Sequence, residues 1–194
     1  MKIVGIDAVE VERALVAGEL SCPDCAGRLR PWGSARWRVV RRGVGVERRR
    51  PRRGRCAGCE RTHVLISTDS LVRRRDLAEV IGTALAAKAA GVGHRRAAVL
   101  VGVPTATVRG WLRRFAVNAE AIRVWFTVLA HGLDPMLAPL AVTATLLVDA
   151  VEAIAVAARA SSLRLAPLAP WSFASRASRG RLLSNTGWPW APAD

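Results

Sequence analysis

Four cysteines occur in this chain, and all four fall in two pairs of identical spacing, Cys22-Pro-Asp-Cys25 and Cys56-Ala-Gly-Cys59. Two residues between paired cysteines let one tight turn aim both thiolates at a common point, and two such turns close a tetrahedron. The pattern predicts one structural Zn2+ held by Cys22, Cys25, Cys56 and Cys59. Four thiolates leave no open coordination position for catalysis. A redox dithiol is the rival reading, but it calls for one CxxC inside a βαβ unit, and none is evident. His63, four residues after Cys59, reads as a locally packed or hydrogen-bonded side chain, with replacement of a cysteine ligand as the alternative.

Between and after the pairs the pattern is that of short strands. Arg28–Trp32, Ala35–Arg42, Val46–Arg50 and His63–Ile66 read as short strands, Ala35–Arg42 partly alternating apolar with basic residues, and Gly43-Val44-Gly45 offers a turn. Such a sheet is too small to bury a sufficient core without a metal, which gives the layout of a zinc ribbon over residues 20–70. Residues 1–19 are read as a separate N-terminal segment.

The chain carries a formal net charge of +15 over 194 residues, which points to nucleic acid as partner. The charge is unevenly placed: residues 22–75 hold 16 Arg against 4 acids, and residues 88–114 hold 6 Lys/Arg and no acid. Residues 115–194 hold 6 Arg against 5 acids. The basic surface therefore belongs to the first 115 residues. The densest run contains Arg48, Arg49, Arg50, Arg52 and Arg53, with only Glu47 beside it in sequence. It reads as a phosphate clamp that strengthens binding at low salt without choosing a sequence; a solvated loop is the plain alternative.

After Arg73-Arg74-Arg75 the pattern turns helical. Asp76 and Glu79 suit an N-cap pair, a helix follows to Gly91, and two shorter helices fit His94–Val101 and Thr105–Phe115 around Gly102-Val103-Pro104. The last two match a helix-turn-helix template: Ala98 is small where the helices cross, and Gly102 tolerates the positive φ of the turn. Ala97, Val101, Val103, Val108 and Trp111 fall at its apolar positions. Thr105, Thr107, Arg109 and Arg113 are then candidates for the major groove, and Arg95 and Arg96 for phosphates. An ordinary helical hairpin is the alternative.

Beyond residue 116 come apolar helices at Ala119–Ala130 and about Val142–Arg159, a short helix near Trp171, and a tail around Trp188–Pro192. These helices suit a core or a homodimer surface. The uncharged run Pro135–Val148 has 14 residues and contains prolines, too short to span a bilayer, and no secretory signal is visible. A cytoplasmic, nucleoid-associated protein is expected. Glu120, Asp134, Asp149 and Glu152 lack the strand series of a two-metal nuclease, and no Ser/His/Asp set or P-loop is present, so no enzyme is expected.

The stretches CPDCAGRLRPWGSARWRVVR, RCAGCERTHVL and GHRRAAVLVGVPTATVRGWLRRF resemble a family of uncharacterised actinobacterial helix-turn-helix proteins and the DNA-binding front ends of insertion-sequence transposases. The resemblance covers roughly residues 20–130. It implies recognition of a double-stranded DNA site, as a transposition accessory working with a transposase, a transcriptional regulator or a truncated transposase remnant. A non-enzymatic adaptor docking a polymerase or transposase is the alternative. The expected fold is mainly α with a small β zinc ribbon: ribbon at 20–70, helix-turn-helix at 76–116, helices at 117–160, and a short helix with a flexible tail at 161–194.

Overall fold

A computed structural model describes residues 1–143 and 145–184. Among these, six strands and seven helices run in the order β1 (Lys2–Val4), α1 (Ala8–Val16), β2 (Leu29–Ser34), β3 (Arg38–Arg42), β4 (Gly45–Arg49), β5 (Arg52–Cys56) and β6 (Thr62–Ser67). The helices α2 (Ala78–Ala89), α3 (His94–Val101), α4 (Thr105–Val117), α5 (Ala119–Leu133), α6 (Leu146–Ser162) and α7 (Pro170–Ala177) follow. Six strands are more sheet than a mainly α chain would carry. No described helix is long and apolar enough to cross a membrane.

The strands form a four-stranded sheet of order β1-β6-β5-β2 and a separate hairpin, β3-β4. β1 lies parallel to β6 and the remaining pairs are antiparallel. β1 thus joins the sheet at one edge, and α1 packs on it. Val4, Val11 and Leu15 share its small core with Cys22, Leu29, Cys56 and Leu65. Asp7 caps α1 by accepting from the Val9 and Glu10 N–H groups, which orients Val11 and Leu15 inward. That core holds few large side chains for a four-stranded sheet, so a metal at its edge would have a structural task.

The helical part has a larger, separate core. Ile81, Leu85, Phe115, Ile122, Phe126 and Ile154 are fully buried in it. The template positions Ala97, Ala98, Val101, Val103, Val108 and Trp111 are all buried, and Gly102 takes φ +63° as the tight turn requires. Gly82, inside α2, lies under Trp171 of α7; a Cβ there would come within 2.0 Å of the indole ring. Leu182 and Leu183 enter the same core, so the chain as far as Ser184 is packed rather than a loose tail. The expected tail at Trp188–Pro192 lies outside the described residues.

Asp76 does not cap α2. The cap position is Leu77, with no side-chain bond, and Glu79 accepts instead from the Ser172 N–H at 3.3 Å. Asp76 is buried and grips Arg41 of β3, with Nε–Oδ1 2.8 Å and Nη2–Oδ2 2.9 Å. Backbone bonds from Arg41 N–H to Arg75 O and from Leu77 N–H to Arg41 O tie the hairpin to the start of α2. At its other end the hairpin meets the α3–α4 turn: a Cβ on Gly102 would lie 2.7 Å from Val44 Cγ1.

Candidate metal centre and basic surface

The two cysteine turns are built alike. In each, a backbone N–H two residues on points at the first sulfur (Asp24 to Cys22 Sγ, 3.4 Å; Gly58 to Cys56 Sγ, 3.3 Å). In each, the residue after the second cysteine takes a left-handed φ, +59° at Ala26 and at Glu60. Cys22 N–H donates to Gly27 O, and Cys56 N–H to Arg61 O, which closes the loops. Gly27 leaves room for the opposite turn, since a Cβ there would stand 3.1 Å from Cys56 Sγ.

These turns bring all four sulfurs within 4.8 Å of one another. Cys22–Cys59 is 3.7 Å and Cys25–Cys56 is 3.4 Å. Neither pair is at the bonding distance of about 2.05 Å that a disulfide demands. A tetrahedral zinc with Zn–S bonds of about 2.3 Å has sulfur–sulfur edges of about 3.8 Å, so the donor set fits a structural metal of that size.

Electrostatics point the same way. The Cys59 and Gly58 backbone N–H groups outweigh burial and draw Cys56 down to about 6. The Arg61 backbone N–H acts in the same direction on Cys59, yet burial and the crowding of the other thiols push that group up to about 12. Four thiols this close cannot all ionise without a cation among them.

His63 is buried, with Nε2 3.3 Å from Cys22 Sγ and Nδ1 3.4 Å from the N-terminal nitrogen. Burial lowers its pKa, which favours the neutral ring. With a thiolate at Cys22, its Nε2–H is the donor. A histidine that bonds a ligand sulfur in this way orients the ligand without displacing it.

The arginine run divides into two kinds of residue. Arg49 bonds Glu47 (Nε–Oε1 2.7 Å) and Asp69 (Nη1–Oδ1 2.7 Å), and Arg52 makes a two-pronged pair with Glu12 at 2.6 and 2.8 Å. Folding thus offsets the run with Asp69 and Glu12 as well as Glu47, acids distant in sequence. Arg48 instead stacks on exposed Trp37, 5.3 Å from the ring centre, and Arg55 on Trp32 at 4.8 Å. Arg50 is exposed and Arg53 half-buried, its Nε without a hydrogen-bond partner.

On α4, Val108, Trp111, Leu112 and Phe115 are buried, whereas Arg109 and Arg113 stand exposed away from them and Thr105 is exposed in the first turn. Arg95 and Arg96 are exposed in the first turn of α3. Thr107 differs from the expectation: it is half-buried and faces a recess with Gly110, Trp111 and Arg114. That recess, bordered by Arg73, Arg74 and Arg75, carries no signal in local sequence, because its walls come from three distant segments.

No protein family, curated protein or solved structure matches this chain.

Proposed function

We propose that this chain is a zinc-stabilised protein that binds double-stranded DNA with a sequence preference. The observation that carries the reading is the two-sidedness of α4. One side is locked into the core by Val108, Trp111, Leu112 and Phe115, the other offers Arg109 and Arg113 to solvent, and Thr105 is exposed in the first turn. A helix held this rigidly after a tight turn is the geometry by which a helix-turn-helix presents side chains to the major groove. Arg109 and Arg113 would read guanine O6/N7, with Thr105 nearby. Arg95, Arg96, Arg48 and Arg50 would hold phosphates. Arg49 and Arg52, neutralised by carboxylates, serve the fold.

In this reading the metal is scaffolding. It sets the ribbon and, through Arg41–Asp76, the position of the hairpin beside α3 and α4. A transposition accessory or a transcriptional regulator are the roles that fit, and a homodimer through α5 and α6 would match two half-sites. The test is binding to duplexes selected from a random pool. Arg109→Ala should weaken the preferred site by about 1–3 kcal/mol and leave random duplex nearly unchanged; equal loss on both sinks the base-reading role. Replacing Arg48 and Arg50 together should weaken all sequences alike and reduce the salt slope by about 2.

One observation favours a second reading, an adaptor that docks a polymerase or transposase. Val99 and Leu100 stand exposed on α3, just before the turn that meets exposed Val44. An absence of duplex affinity at low salt would select it.

A further inference from the structure

The tryptophans among the described residues divide sharply. Trp111 and Trp171 are buried and Trp125 is half-buried, whereas Trp32 and Trp37 are 51% and 56% exposed. A single apolar side chain open to water needs no explanation, but two indoles on one basic arm do. Neither takes part in the duplex reading given above.

Both lie along one stretch of paired chain. β2 pairs with β5, β3 pairs with β4, and between them Ala35 N–H donates to Pro51 O at 2.8 Å, so residues 29–42 and 45–56 run side by side as a long arm. Arg30 stands opposite Arg55, and Val39 opposite Arg48, which sets each of these return-strand arginines diagonally across from a tryptophan. The guanidiniums accordingly cover the rings, Arg55 at 4.8 Å from the centre of Trp32 and Arg48 at 5.3 Å from that of Trp37. A stacked guanidinium occupies one face of an indole. With half of each side chain still in solvent, the other face is open to a second planar group.

The charge around the rings is lopsided. Residues 28–55 hold 12 Arg and one acid, Glu47. Folding neutralises part of the excess: Arg41, Arg49 and Arg52 pair with Asp76, Asp69 and Glu12, and Arg55 meets Glu60 at 3.3 Å. Arg28, Arg30 and Arg36 are exposed and have no ion pair among the described residues. Open aromatic faces set among free guanidiniums complement a ligand that alternates planar rings with negative charge.

We propose that this arm binds single-stranded DNA, with unpaired bases stacked on Trp32 and Trp37 and phosphates held by Arg30 and Arg36. A duplex keeps its ring faces stacked inside and offers a protein only phosphates, sugars and groove edges, so it cannot use the indoles. Trp32 and Trp37 are five residues apart, at most about 18 Å between Cα atoms, which suits a site of the usual size of about 4–16 nucleotides. The choice of DNA over RNA rests on the duplex reading, in which α4 grips a site beside an opened or overhanging strand. The stacking does not rest on it, since Arg109 and Arg113 belong to a different element.

The experiment is fluorescence anisotropy of a labelled thymidine oligomer of about 12 nucleotides, titrated at low salt with the zinc-supplemented full chain. An abasic oligomer of equal length carries the same phosphates without bases and should bind about tenfold or more weaker. Trp32→Ala and Trp37→Ala should each weaken the thymidine oligomer about tenfold, while Trp32→Phe and Trp37→Phe keep most of the affinity because a ring face remains. Neither alanine change should alter binding to a blunt duplex, and Arg109→Ala should leave the thymidine oligomer unaffected, so failure of one reading is separable from failure of the other. Circular dichroism checks that the variants fold, and the abasic comparison, made on the unaltered chain, stands if one does not. Equal affinity for the abasic and thymidine oligomers, or equal loss of single strand and duplex in the tryptophan variants, overturns the proposal. So does tighter binding of a uridine RNA oligomer, or no affinity for any single strand, which would leave the indoles to a protein partner.

Discussion

Removing the Arg49 guanidinium would leave Asp69, 7% exposed, without its strongest partner. Burial tends to raise the Asp69 pKa, but hydrogen bonds from Arg49 and Ser70 outweigh it and hold the carboxyl below its ordinary value. A carboxylate depressed by folding contributes stability above its unfolded pKa and loses it as the pH falls through the folded one. Arg49→Ala should therefore cost about 1–3 kcal/mol at neutral pH, discounted because the arginine is itself partly exposed. The deficit should shrink as the solution is acidified below about pH 4. Urea unfolding of both proteins across that range reads it directly; a deficit independent of pH would assign the loss to packing. Glu47 sits next to Arg49 in the hairpin and was visible in sequence, whereas Asp69 comes from the loop after β6. Neither Asp69 nor Glu12 could be assigned to its arginine from spacing, because each pair closes a loop of many residues.

At the scale of elements, α2, α3 and α4 were legible because their apolar residues recur at helical spacing and glycines punctuate them. The glycine that matters most to packing carried no such mark. Gly82 sits in mid-helix, where it weakens α2 relative to alanine, and only its contact with Trp171 explains it. Gly82→Ala should raise intrinsic helix propensity yet destabilise the protein by about 1–3 kcal/mol, because the indole has to leave its place against the helix. Trp171→Ala in the same background should recover part of the loss. A Gly82→Ala protein more stable than the parent would show that α7 is not seated there. β1 and α1 were missed for a different reason: a three-residue strand and a nine-residue helix are below the length at which periodicity speaks, and only pairing with β6 and burial of Leu15 give them a role.

Across the whole molecule, two hydrophobic cores meet through a hairpin. Cys22 and Cys56 belong to the core of the sheet, and no cysteine enters the helical core. Chelation should therefore abolish hydrogen-exchange protection in β1, β2, β5 and β6 while most of α5 and α6 stays protected. Because Arg41 bonds Asp76, Arg75 and Leu77, the loss should extend to the first turn of α2. Protection of the ribbon that survives metal removal would show that its core suffices alone. Zinc uptake should also release protons: at neutral pH Cys59, pushed up to about 12, is a thiol, whereas Cys56, drawn to about 6, is largely thiolate. Affinity should fall as the buffer is acidified, and equal affinity at about pH 8 and about pH 6 would contradict a thiolate site.

The sequence by itself determined what local chemistry can encode: two cysteine turns of one geometry, the helices α2 to α4 with the turn at Gly102, and an excess of arginine in the first 115 residues. Tertiary structure decided which of those arginines remain available. It neutralised Arg49 and Arg52 with Asp69 and Glu12, stacked Arg48 on Trp37, and gathered Arg73, Arg74 and Arg114 around one cavity. The physical reason is range. Turns and helices follow from residues a few positions apart, but the state of a charge depends on every group within several ångströms, and chain closure alone brings those groups together.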